Sequence, residues 1–339
     1  MRYPRNLEIG EYISTTAPSE GIVKEINWKR LDNAKKNLEE LGYKYKETSN
    51  VRTDEKGRSS SAKERAKQFM ELWQDRETRS IISAAGGFFL NEMIDEIEWE
   101  KIKELEPKWF QGYSDNTGIT YLLTTLADTA CIYGPNVKDY GMKKLYKNLE
   151  DSLKIMQGEE ITQESFGECE NGEWAERIDP YEEYSLTSKN EWKNINGEEK
   201  IYFKGRSIGG CLNVITDLIG TKYDKTKEYI EKYKEDGIVW FLEACEMSTP
   251  VIYCKLWQMK NAGYFKNSNG IIFGRPIMLK EEYEMTQEEC LTQALKDLNI
   301  PIIYDADIGH IAPQMPILSG GILEIEYEKG KGKITNYFE

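Results

Sequence analysis

Two short stretches carry residue types that hydrolytic chemistry uses. His310 is the one histidine among 339 residues. It stands in Ile308-Gly309-His310-Ile311-Ala312-Pro313-Gln314-Met315-Pro316, a glycine-flanked, proline-stiffened loop. Imidazole is the side chain best suited to moving protons near neutral pH, so histidine base catalysis in this chain has a single candidate. Gly112-Tyr113-Ser114-Asp115 joins a short apolar run to a helical pattern, which sets Ser114 on a sharp turn at the carboxyl end of a strand. That is the geometry of a nucleophile elbow, whose following backbone N–H groups face the place where negative charge develops in acyl transfer. Asn116 replaces the second glycine of G-x-S-x-G, which argues against the ordinary α/β-hydrolase fold. A lone G-x-S-D also fits a helix N-cap.

Gly86-Gly87 ends the apolar run Ser80-Ile81-Ile82-Ser83-Ala84-Ala85, where a backbone N–H can face a ligand without side-chain obstruction, as a second oxyanion donor or simply in a tight turn. A serine–histidine pair also needs a carboxylate to hold the imidazole tautomer. Asp305 and Asp307 neighbour His310, and Asp115 adjoins the serine. Glu243 is the preferred candidate because it follows Ile238-Val239-Trp240-Phe241-Leu242 at the carboxyl edge of a strand, where α/β proteins gather catalytic groups. It also reads as the first polar residue after a buried strand.

The elements that must position these groups are those of a layered α/β protein. Short apolar runs alternate with amphipathic helical patterns from Tyr12 to about Pro135, the signature of a mostly parallel, flavodoxin- or Rossmann-like sheet. Helices are expected from Trp28 to Leu41, after the capping box Ser61-Ala62-Lys63-Glu64, from Asn116 to Ala127, and from Thr286 to Leu298. A strand ending in a turn is expected over 12–19, a strand running into paired glycines over 80–87, and further strands at 108–112, 237–242, 270–273, 300–304 and 322–327. Polar and charged residues dominate between about Glu150 and Lys204, with isolated aromatics Phe166, Trp174, Tyr181, Tyr184 and Trp192. The expected organisation is an N-terminal α/β domain over 1–155, a polar connector with an active-site loop over 156–200, and a smaller C-terminal α/β domain over 201–339.

Composition narrows the partners. With 45 Lys and Arg against 59 Asp and Glu the net charge is −14, a field that repels phosphate backbones and anionic lipid surfaces, so neither nucleic acid nor membrane is expected. The six cysteines form no C-x-x-C pair, which speaks against a zinc ribbon, a redox pair or a disulfide framework. No stretch approaches the roughly 20 apolar residues of a membrane span, and the first residues lack a secretion signal, so a cytoplasmic location is the expectation. The chemistry requires no metal and no organic cofactor.

Taken in order, the motifs resemble the LD-carboxypeptidases, serine peptidases that use serine, glutamate and histidine in that chain order. The resemblance spans nearly the whole chain and rests on Ala17-Pro18-Ser19, Ser61-Ala62-Lys63-Glu64-Arg65-Ala66, Gly86-Gly87, Gly112-Tyr113-Ser114-Asp115, Gly134-Pro135, Gly209-Gly210-Cys211-Leu212-Asn213, Phe241-Leu242-Glu243 and Gly309-His310 with Pro313-Gln314. It implies Ser114 as nucleophile, His310 as base, Glu243 as its orienting partner, and the backbone amides of Gly87 and Asp115 as the oxyanion hole. It also implies a homodimer. Enzymes of peptidoglycan recycling usually follow the double glycine with tyrosine-glycine. Gly87-Phe88-Phe89-Leu90-Asn91-Glu92-Met93 departs from that and is similar to the microcin C immunity branch, which cleaves the amide joining an aminoacyl group to a modified nucleotide. Gly86, Asn91 and Asn213 are then the substrate-binding candidates, with Trp192 as a loop aromatic that stacks on a base or instead packs against the domain.

Three functional classes follow: a serine peptidase or amidase on an aminoacyl-nucleotide or small peptide, with a muramoyl-tetrapeptide LD-carboxypeptidase as the alternative; a catalytically silent small-molecule binder; and a scaffold in which the motifs are only turns. The first is favoured because all three side chains and both amide donors occur in the expected order.

Overall fold

A computed structural model describes residues 1–174 and 177–339. The chain divides into two compact units, Met1–Glu159 with Glu176–Glu183, and Glu160–Ala175 with Tyr184–Glu339. They are nearly equal in length, so the second is not the smaller one, because residues from 160 onward join it.

The first unit holds strands β1 (Tyr12–Thr16), β2 (Lys44–Glu47), β3 (Thr78–Ser83), β4 (Trp109–Gly112) and β5 (Cys131–Tyr133). They pair in parallel in the order β2-β1-β3-β4-β5, the flavodoxin-like doubly wound arrangement. Its helices are α1 (Glu25–Glu40), α2 (Ala62–Gln74), α3 (Asn91–Ile94), α4 (Trp99–Glu104), α5 (Thr117–Thr125) and α6 (Lys147–Met156). All six residues of β3 are buried, as expected of a parallel strand covered on both faces. The Ser61 hydroxyl caps α2 by accepting the Glu64 N–H at 3.3 Å. That helix turns Phe69, Met70 and Trp73 inward, and Phe69 meets Phe110 of β4 edge-on with centroids 5.8 Å apart. Burying each such side chain contributes about 1.5–3 kcal/mol. Strand order reverses between β1 and β3, so the crevice beyond their carboxyl ends is where a sheet of this kind receives a ligand. Residues 177–183 belong to this unit because the buried Arg30 guanidinium donates to the carbonyls of Pro180 and Glu182 at 3.0 and 2.9 Å.

The second unit contains β6 (Ile161–Glu164), β7 (Glu168–Cys169), β8 (Ser188–Lys189), β9 (Lys193–Asn194), β10 (Lys200–Cys211), β11 (Ile238–Glu243), β12 (Ser268–Gly274), β13 (Ile302–Ala306), β14 (Ile317–Ser319), β15 (Ile322–Glu328) and β16 (Lys331–Tyr337). Eight of them form a mixed sheet, β6-β16-β15-β10-β11-β12-β13-β9. Its centre, β10 to β13, is parallel, and its flanks are antiparallel. The helices are α7 (Leu212–Leu218), α8 (Thr226–Lys232), α9 (Thr249–Asn261) and α10 (Gln287–Leu295). A reciprocal Thr286–Glu289 capping box starts α10. Much of the polar segment is woven into this unit: β6 extends the sheet at β16, and β9 extends it at β13. Strands of two to four residues carry too little alternation to be read from sequence.

Candidate active site

In the first unit the site is built at the carboxyl end of the parallel sheet. β4 ends at Gly112, and the chain turns through Ser114, which adopts a left-handed φ of 64°, before α5 begins at Thr117. A non-glycine residue in that region costs on the order of 1 kcal/mol or more and marks a position held by its surroundings. Asn116, the departure from the glycine motif, is what holds it. Fully buried, Asn116 accepts from the Ser83 hydroxyl at 2.7 Å and donates to the carbonyls of Ala85 and Tyr113 at 2.9 and 3.1 Å. The elbow is thereby braced to the end of β3, a role that composition alone does not reveal.

Gly86 comes so close to the elbow that a Cβ placed on it would lie 2.7 Å from Ser114 Oγ and 3.7 Å from the Asp115 backbone nitrogen. Gly86, Ser114 and the Asp115 amide therefore share one small space. Gly87 follows with φ 146°. The Asp115 carboxylate is turned away from this space, accepting from the Ser19 hydroxyl and from the Leu90 N–H. It ties the turn after β1 to the start of α3 and leaves the backbone N–H as the residue's contribution. Glu20, whose N–H donates to the Gly86 carbonyl at 3.1 Å, has its carboxyl pushed up by burial and by the neighbouring Asp54 and Asp115 charges. Asn91 is exposed at the first position of α3.

In the second unit Glu243 is the last residue of β11 and is completely buried. His310 follows β13, two strands away in the same sheet. Parallel strands end at the same sheet edge, which is why residues 67 apart in sequence meet there: Glu243 Oε2 lies 3.0 Å from His310 Nδ1. An ionised carboxylate only accepts, so Nδ1 carries the proton and donates. Gly309, at φ 100°, makes the approach possible, since a Cβ there would sit 2.8 Å from Glu243 Cβ. Burial disfavours the imidazolium, but the Glu243 charge and hydrogen bonds with Cys245 and Glu243 outweigh it and push the His310 pKa up from 6.5 to about 10. Asn213, the second residue of α7, donates to the Cys245 carbonyl at 3.4 Å.

Trp192 is not a stacking aromatic. Its side chain lies in the interior of the second unit, 1% exposed, with the indole N–H donated to Asp307 Oδ2 at 2.8 Å. The aromatic beside the histidine is Trp174. It is 53% exposed, meets the His310 ring edge-on with centroids 5.8 Å apart, and donates its N–H to Glu246 at 2.6 Å. The available signal was an aromatic isolated in the polar segment, a description that fits Trp174 and Trp192 equally. Among the described residues no group of three or more His, Cys, Asp or Glu is arranged to hold a metal ion, and no helix is long and apolar enough to cross a membrane.

Residues 13–134 match the LD-carboxypeptidase N-terminal domain, and residues 204–325 match the LD-carboxypeptidase C-terminal domain. Among relatives, the microcin C7 self-immunity protein MccF of Escherichia coli is 26% identical over 83% of this chain and 80% of its own length. A probable murein peptide carboxypeptidase of Bacillus subtilis (strain 168) is 24% identical over 94% of this chain and 89% of its own. The crystal structure of an MccF-like protein from Bacillus anthracis str. Ames superposes with a TM-score of 0.80, at 25% identity and full coverage of both chains. With both of its family domains present in order, the chain belongs to the LD-carboxypeptidase family of serine peptidases.

Proposed function

We propose that the chain hydrolyses the amide of a small aminoacyl-nucleotide through an acyl-enzyme on Ser114, with His310 as base, Glu243 as its orienting partner, and the Gly87 and Asp115 amides as the oxyanion hole. The observation that carries this reading is the buried Glu243–His310 hydrogen bond of 3.0 Å, the arrangement a serine nucleophile needs in its base. His310 takes the Ser114 proton as Oγ attacks the amide carbonyl. The tetrahedral intermediate collapses, the amine leaves with that proton, and water activated by the same imidazole releases the acid. Each oxyanion donor is worth about 10²–10³ in rate.

The nucleotide-linked substrate class is favoured by the likeness to MccF, structures of which hold glutamyl sulfamoyl guanosine and aspartyl sulfamoyl adenosine. Exposed Trp174 beside His310 offers an aromatic face for such a substrate, and Gly86 beside Ser114 and Asn213 near Cys245 are further candidate contacts. Asn91 joins them as a candidate contact. A cytoplasmic homodimer is part of the same proposal, following the family resemblance.

The test is a mass-spectrometric assay of an aminoacyl sulfamoyl adenosine beside a murein tetrapeptide, together with fluorophosphonate labelling. Cleavage of the nucleotide-linked amide and labelling abolished by Ser114→Ala are expected. Cleavage of the tetrapeptide alone would move the protein to the peptidoglycan branch. Folded protein that neither labels nor cleaves either compound would end the hydrolase mechanism proposed for these residues.

A further inference from the structure

The loop that presents His310 is clamped from beneath by a buried ion pair. Arg275 follows β12, the strand beside β13, and is 5% exposed. One arm of its guanidinium pairs with the Asp307 carboxylate. The other donates to the carbonyls of Ile311 and Pro313, both at 3.0 Å. A single planar group thus grips the chain three residues before His310 and one and three residues after it. Just beyond those grips the loop is closed by the Met315 N–H donating to the Asp307 carbonyl at 2.6 Å.

Asp307 is fully buried and is shared with the polar segment. Besides Arg275 it accepts from the Trp192 indole at 2.8 Å, the Asn190 side-chain amide at 3.2 Å and the Phe166 backbone N–H at 3.1 Å. The Glu170 N–H reaches the same loop at the Ala312 carbonyl, 2.8 Å away. Taking two charges out of water is costly unless every lone pair and N–H finds a partner, and removing one partner leaves an uncompensated charge. A buried ion pair of this kind adds little net stability over apolar side chains of similar volume. What the pair supplies is direction: a guanidinium fork fixes three acceptors in one plane, which a lysine cannot do.

We infer that Arg275 and Asp307 are positioning residues for His310, with Trp192 as the pin that locks the polar segment onto the histidine loop. This rests on the proposed role of His310 as base, but its structural half can be read separately. Because the chain has one histidine, the Nδ1 proton held by Glu243 gives a single far-downfield NMR signal with no assignment ambiguity.

The variants are Arg275→Lys, which keeps the charge opposite Asp307 and loses the fork, and Trp192→Phe, which keeps an aromatic six-membered ring and loses the pyrrole ring with its N–H. Both should retain the wild-type circular dichroism spectrum, shift or broaden the Nδ1 proton signal, and lower kcat roughly 10–100-fold with KM within about twofold, the scale expected when a reacting group is misplaced by a fraction of an ångström to an ångström. If Arg275→Lys fails to fold, Trp192→Phe decides. Folded variants with an unchanged proton signal and unchanged kcat overturn the inference, as does a rise in KM alone. Should the wild-type protein cleave no amide, the function proposal fails, and the proton signal in the two variants still decides whether the clamp sets the imidazole.

Discussion

Replacing Glu243 by glutamine keeps the shape and one acceptor of the side chain while removing its charge, so Glu243→Gln isolates the electrostatic part of the pair. Glu243 and the His310 side chain are 0% and 2% exposed, with 3.0 Å between Oε2 and Nδ1. At an effective dielectric of about 20, unit charges about 4 Å apart attract by about 4 kcal/mol. At about 1.4 kcal/mol per tenfold, this corresponds to a titration midpoint about three pH units lower in the variant. Burial, which opposes the imidazolium, remains in the variant, so its midpoint should fall well below the value of about 10 to which the wild-type His310 is raised. The sole imidazole can be followed by proton NMR from pH 5 to 11 without labelling or assignment. A wild-type midpoint close to 6.5, or a variant that titrates where the wild type does, would show that the Glu243 charge does not hold the imidazolium. The sign carries over to stability and rate. Because the folded-state value is raised, the pair's contribution to stability is complete below about pH 6.5 and is lost as pH rises toward 10. kcat/KM should climb over the same window, since the base must be unprotonated. Glutamine should also lower kcat by about 10⁴-fold, the cost of disturbing the imidazole tautomer in a serine triad.

The elbow yields two further expectations. Ser114 holds a left-handed φ of 64°, so Ser114→Gly, which relieves that conformation, should melt about 1–3 °C above Ser114→Ala, which does not; equal melting temperatures by circular dichroism would show that the turn is unstrained. Gly86→Ala places a methyl 2.7 Å from Ser114 Oγ and 2.8 Å from its Cβ. It should lower kcat/KM about 10²-fold and cost on the order of 1–3 kcal/mol in chemical denaturation, and an alanine variant with wild-type kinetics would mean that the serine is not confined by this glycine.

Local rules carried the sequence reading a long way. Runs of apolar residues located β3, β4, β11, β12 and β13, because a parallel strand buried on both faces is apolar along its length. Caps such as Ser61 and Thr286 marked helix starts, since a side-chain oxygen there replaces a missing backbone partner. Gly112, two residues before Ser114, and Gly309, next to His310, pointed to tight backbone. Where the reading fell short, the deciding contact was distant. Within the polar segment, β6 and β9 are ordered by the sheet edges they join at β16 and β13, while β7 and β8 pair with each other.

Thus the residue types, their order and the strand-then-turn context of Ser114, Glu243 and His310 are written in the chain, because period and turn chemistry act over a few residues. That Glu243 finds His310 across 67 residues, that Asn116 braces the elbow, and that Trp192 faces inward while Trp174 stands beside the imidazole are decided by tertiary packing alone. Two tryptophans in one polar stretch look alike to any local rule. Only the position of the buried Asp307 carboxylate, which accepts the indole N–H of Trp192, separates them.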